Sequence, residues 1–166
     1  MSDFLPFFPL NLVAYPGEAL NLHIFEPRYR QLIDECLASG STFGIPVFID
    51  NKIPGYGTEM TVTALARRHP DGRMDINTKG LRVFRIVSFE NPVVGKLYAG
   101  GEVAWQPNEP YHDTMPGLLD RLRRLSGLLQ VPSEYDTDTE NFSLSVAHKV
   151  GLSVEEEYQL LMLPRE

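Results

Sequence analysis

The sequence predicts an α+β protein: a mostly antiparallel β-barrel or sandwich-like sheet carrying one prominent helix, followed by a helical part. Three observations carry this. Short apolar segments rich in β-branched and aromatic residues, punctuated by Gly and Pro, fill the chain to about residue 106. One helical periodicity interrupts them at residues 27–38, and leucine-rich patterns take over after the Pro107 to Pro110 stretch. The expected division is therefore 1–107 and 108–166.

In chain order, strands are expected at Phe43 to Ile49, Met60 to Leu65, Arg73 to Ile76, Leu81 to Phe89 and Leu97 to Trp105. Asp50-Asn51-Lys52, Pro54-Gly55-Tyr56-Gly57, Pro70-Asp71-Gly72 and Asn91-Pro92 separate them as turns. Of these, Pro70-Asp71-Gly72 is the clearest hairpin. The in/out alternation begun by Met74 and Ile76 loses parity at Gly80, as at a β-bulge. The helix starts on Pro27, runs through Tyr29, Leu32, Ile33, Cys36 and Leu37 at helical spacing, and stops before Gly40. Cys36 lies on its apolar stripe and reads as a small buried hydrophobe. Phe25 and Leu32 are expected in the core.

In the second half Pro116 opens a helix with Leu118, Leu122, Leu125 and Leu129 on one stripe, and Val131-Pro132 stops it. Phe142, Val146 and Val150 line another helix, ended by Gly151. Ser153 and Glu156 form a capping box starting a further one through Tyr158, Leu160 and Leu161. Pro164 is suited to opening one more, so the last helix of the expected bundle is missing from these 166 residues.

Composition excludes several classes. Hydrophobic content of 43% with 22% charged residues is that of a globular domain, and no apolar run is long enough to span a bilayer. Asp3 near the amino terminus is unlike a secretory signal, and a single cysteine rules out an internal disulfide, so the expected location is the cytoplasm. A net charge of -7 gives phosphate backbones no long-range attraction.

The segment Pro6-Phe7-Phe8-Pro9-Leu10, continuing to Tyr15-Pro16-Gly17-Glu18 and then Leu22-His23-Ile24-Phe25-Glu26-Pro27-Arg28-Tyr29, resembles the opening of the Lon substrate-binding domain family. Phe43-Gly44-Ile45, Gly57-Thr58, Asp71-Gly72-Arg73 and Gly80-Leu81-Arg82 follow in the family's order. Phe7 and Tyr15 stand where that pattern usually has Leu and Phe. The resemblance implies a six-stranded PUA-like barrel with a helical bundle after it, and a role in recognising unfolded or tagged polypeptides, alone or beside a separate protease or ATPase. Its motif residues read as mainly structural: Pro16-Gly17 as a tight turn, Ile24-Phe25 as a strand end seated in the core, and Glu26 as a carboxylate able to cap the helix or pair with Arg28.

Catalytic machinery is not legible. No G-x-x-x-x-G-K-[ST] loop occurs, and Lys52, Lys79, Lys96 and Lys149 sit in no context that would activate a serine. His23, His69, His112 and His148 show no spacing at which two imidazoles converge, and on a strand His23 and Glu26 face opposite sides, so neither a metal nor another cofactor is expected. Arg67-Arg68-His69 and Arg121 to Arg124 are the basic clusters; they leave RNA binding, known for other PUA-like barrels, as a rival reading that the acidic balance disfavours. The favoured expectation is a non-enzymatic module that binds exposed apolar segments, with Tyr15, Phe48, Tyr56, Tyr98 and Trp105 as candidate contacts. Homodimerisation is expected through Leu118, Leu122, Leu125, Leu161 and Leu163 of the helical half.

Overall fold

The computed structural model describes residues 3–107, 116–130 and 142–163. Val131-Pro132, His112, Pro164 and the boundary at Pro107 to Pro110, apart from Pro107 itself, lie outside the described residues. Strands β1 (Asp3–Phe7) and β2 (Ala19–Ile24) precede helix α1 (Pro27–Ser39). Then come β3 (Phe43–Pro46), β4 (Tyr56–Arg68), β5 (Met74–Ile86) and β6 (Ala99–Trp105), followed by α2 (Pro116–Leu129), α3 (Phe142–Ala147) and α4 (Val154–Leu161).

The strands form one sheet in the order β2-β5-β4-β3-β1-β6, and β5 also pairs with β6. The sheet thus curls until Phe84–Ile86 meets Val103–Trp105, leaving β2 outside the ring on the first part of β5. This corrects the clean barrel expected from the sequence: the ring is open to one side strand, and β1 lies parallel to β3. Besides β4, β5 pairs with both β2 and β6, because it is bent. Thr58 pairs with Val83 but Met60 pairs with Gly80, so β5 carries an extra residue at Leu81–Arg82. That bulge is the parity break visible in the sequence, yet it bends a single strand where two separate ones were expected.

Gly80 has a second role. Gly17 N–H donates to the Gly80 carbonyl at 2.9 Å, and Gly80 N–H donates to the Glu18 carbonyl at 2.8 Å. The Tyr15–Glu18 turn therefore lies flat on β5, with Gly17 at φ 81°, and a Cβ on Gly80 would collide with the Tyr15 carbonyl. The Pro16-Gly17 and Gly80 motifs are two sides of one contact.

Helix α1 covers the sheet with Leu32, Ile33 and Cys36, which pack with Ile24, Phe43, Ile45, Met60, Met74 and Ile76. Gly40 ends it in the left-handed region, its N–H bonded to the Cys36 carbonyl at 2.8 Å. Phe25 is a correction. Ile24 points into the core, so strand alternation turns its neighbours His23 and Phe25 outward, and Phe25 is 60% exposed. Glu26 does not cap α1 through its side chain either; its carboxylate instead takes the Arg28 guanidinium, Nε to Oε2 2.8 Å.

Leu144 and Ala147 of the α3 region and Tyr158 and Leu161 of α4 pack with Val13, Tyr15, Val47 and Val83 of the strand half. The predicted capping box starts α4, with the Ser153 hydroxyl accepting from Glu156 N–H and Glu156 accepting from Ser153 N–H. Leu122 of α2 meets Val146, with Leu118, Leu119 and Val150 alongside. Of the expected leucine stripe, Leu125 and Leu129 stay exposed, as does Leu163.

Candidate functional site

A partly open cleft of about 250 Å³ is lined by Pro9, Arg28, Tyr29, Phe48, Ile53, Phe89, Asn91 and Ala99. Its floor follows from the opening motif. Phe8 is buried and lies against Tyr29 with ring centroids 3.9 Å apart, and the Arg28 guanidinium stands 4.5 Å from the Tyr29 ring centre. The Glu26 carboxylate holds Arg28 in that position. Burial, together with the negative Glu26, pushes the Tyr29 hydroxyl above its ordinary value against the opposing pull of Arg28, so the phenol is neutral at physiological pH.

Two loops form the walls. Phe48 N–H donates to the Leu10 carbonyl at 2.8 Å, and Leu10 N–H to the Pro46 carbonyl at 3.3 Å, so the strip after β3 runs beside Pro9-Leu10. Ile49 and Lys52 then exchange two backbone bonds of 2.9 Å around Asp50 and Asn51, both at positive φ, which makes a tight two-residue hairpin. That hairpin fixes Phe48 and Ile53. On the far wall Phe89 stacks on Phe7 at 6.0 Å and stays 45% exposed.

Of the candidate aromatics, only Phe48 lines this cleft. Tyr15 is buried, with its hydroxyl donating to the Glu157 carbonyl at 3.0 Å. Tyr98 is also buried and donates to Glu35 Oε2 at 2.5 Å; the same carboxylate takes Lys96, whose hydrogen bond holds Glu35 below the usual carboxylate range. Tyr56 is half-buried against Tyr158. Trp105 is half-buried too, donating to Asp3 Oδ2 at 2.6 Å and lying under Arg82, whose Nε meets the buried Glu59 at 2.8 Å. Arg82 of the motif is thus tied to Trp105, while Leu81 beside it points outward. Pro16 of the motif is buried and Leu10 half-buried.

The structure also joins residues whose spacing gave no sign of it. His23 Nδ1 lies 2.5 Å from Asp75 Oδ1, and His69 Nε2 lies 2.7 Å from Asp75 Oδ2. These contacts, first from His23 and then from His69, hold the Asp75 carboxyl below its ordinary range. The expectation that no two imidazoles converge is therefore corrected: the rings stand 5.8 Å apart. Strand pairing is the reason, because His23 is the register partner of Asp75. The hairpin at 70–72 could have revealed His69 and Asp75 as neighbours, but nothing local assigns β2 to β5.

A curled mixed sheet with its main helix laid across it is the fold of a Lon amino-terminal domain. The chain belongs to the ATP-dependent protease La (LON) substrate-binding domain family, whose model matches residues 4–164. It is similar to the Lon N-terminal domain protein from Xanthomonas campestris, with TM-score 0.76 and 28% identity over 98% of this chain and 92% of that one. The N-terminal domain of the Mycobacterium avium complex Lon protease shares the fold at TM-score 0.65 and 16% identity, covering 96% of this chain and 89% of that one. No helix among the described residues is long and apolar enough to cross a membrane.

Proposed function

We propose that this domain is a non-enzymatic cytoplasmic module that binds exposed apolar segments of unfolded or client polypeptides, and that the cleft between Phe48 and Phe89 receives their side chains. The observation that supports this reading is the combination of apolar walls and a few polar groups in one open concavity: Phe48, Ile53 and Phe89 offer apolar surface, while Arg28 and Asn91 can meet peptide carbonyls. Arg28 is pre-positioned by Glu26 and Tyr29, so little side-chain entropy is lost on binding. Serving as an adaptor for a separate ATP-dependent protease is compatible with the same surface. RNA binding is less favoured: Arg68 is already paired with Asp34 at 2.7 Å.

Fluorescence anisotropy with a labelled, permanently unfolded polypeptide tests the proposal. Phe48→Ala and Phe89→Ala should each weaken binding by about tenfold or more, as for aromatic anchors at an interface centre. Circular dichroism should show both variants folded. Binding that neither substitution alters would overturn the assignment of this cleft.

A further inference from the structure

We infer that His23, His69 and Asp75 form a binding site for a divalent transition-metal ion of the zinc type on the outer face of the sheet. One donor atom from each side chain can be chosen so that all lie within 4.8 Å of one another. Two imidazoles and one carboxylate are the donor set that borderline ions such as Zn²⁺, Co²⁺ and Ni²⁺ prefer, whereas Mg²⁺ and Ca²⁺ favour oxygen alone.

The backbone pre-arranges these groups. His23 on β2 and Asp75 on β5 are direct register partners, and both side chains point away from the core-facing Ile24, Met74 and Ile76. His69 closes the β4–β5 turn, its N–H bonded to the Arg73 carbonyl at 2.8 Å and its carbonyl accepting from Gly72 N–H at 3.0 Å. All three ligands thus stand on paired strands or a closed turn, and the cost of assembling them is met during folding.

The geometry is close to what an ion requires. Metal bonds of about 2.0–2.1 Å in a tetrahedral site place donor atoms roughly 3.3 Å apart. The His23–Asp75 and His69–Asp75 contacts of 2.5 and 2.7 Å need widen by less than about 1 Å, and the two imidazole nitrogens, within 4.8 Å of each other, need close by at most about 1.5 Å for an ion to enter between them. It would take the place of the hydrogen bonds those pairs make, each imidazole turning a lone pair toward the ion. The side chains of His23 and Asp75 are 46% and 39% exposed, which leaves positions for water beside the Phe25 ring, itself 6.1 Å from His23. Arg67 is the register partner of Asp75 on its other flank, and its charge opposes a cation and moderates the affinity.

Titration of the chelator-treated full chain with Co²⁺, followed by visible absorption and then by Zn²⁺ competition, tests the site. One equivalent should bind per chain and be displaced by Zn²⁺. Asp75→Asn and His69→Ala should each weaken binding by at least about tenfold, the range seen even for groups that only orient ligands. His148→Gln should bind as the wild type does. In the unsubstituted protein, Zn²⁺ should move the His23 and His69 imidazole NMR signals together, a readout that no folding defect can mimic. The absence of a saturable one-equivalent site, a site indifferent to Asp75→Asn, or one abolished by His148→Gln would each overturn the inference.

Discussion

Phe25 separates folding from surface function, and the size of the separation can be worked from its environment. At 60% exposure only about two-fifths of the side chain leaves water. Full burial of a phenylalanine contributes about 1.5–3 kcal/mol, so Phe25→Ala should cost about 1 kcal/mol. Phe43 is fully buried beneath α1. Its replacement by Ala should cost about 3–5 kcal/mol, because a cavity is left as well. For a chain of this size 1 kcal/mol shifts Tm by about 2–4 °C, which predicts a loss of about 2–4 °C for Phe25→Ala against about 6–20 °C for Phe43→Ala. Scanning calorimetry, supported by urea midpoints, measures both. If Phe25→Ala lost as much as Phe43→Ala, strand alternation would not be what places Phe25, and its outward position would be wrong.

Gly80→Ala should destabilise by about 1–3 kcal/mol or more, read from the urea midpoint, because the new Cβ drives the Tyr15–Glu18 turn off β5 and breaks two backbone bonds. His148 supplies a pH dependence. Burial alone would lower its imidazole, but the carboxylates of Glu157 and Glu18 outweigh that and hold it above the ordinary 6.5. Its stabilisation is therefore complete below pH 6.5 and lost as pH rises through the elevated value; a Tm profile from about pH 6 to about pH 9 should fall more for the wild type than for His148→Gln. The homodimer surface expected from the sequence loses Leu122 and Leu161, which are buried within the protomer, and keeps Leu125 and Leu163; sedimentation over a wide concentration range tests it. The average mass should rise above 18.8 kDa with concentration, and Leu125→Glu, at a half-exposed position on α2, should suppress the rise.

Local chemistry was readable and long-range register was not. The limits of α1, the 70–72 turn and the Ser153 capping box each depend on residues within one turn of themselves, and each lies where the sequence places it. The bulge was readable as broken parity, but whether it ends a strand or bends one depends on β6 arriving from residues 99–105. The apolar character of Phe25 suggests burial, but the alternation that Ile24 sets turns it outward. The His23, His69 and Asp75 cluster needed the β2–β5 pairing, which no pattern within either segment specifies. The cleft is half-legible: the sequence offers Phe48 as a candidate, whereas it places Phe89 at the end of a strand and the structure puts it in the loop after β5.

The position of β1 sets a schedule for synthesis. Asp3 pairs with Val103 and Phe7 with both Ala99 and Gly44, so the first strand made finds its second neighbour only after β6 has emerged. At about 5–20 residues per second the ribosome needs about 5–20 s for the intervening stretch. The Tyr15 hydroxyl waits longer still, since its acceptor is Glu157. Throughout that interval β1 can join β3, but the edge of Phe4-Leu5-Pro6-Phe7 that β6 will take stays unpaired and uncovered. A nascent copy of this domain is thus, for some seconds, the same kind of polypeptide that its finished copies are proposed to hold.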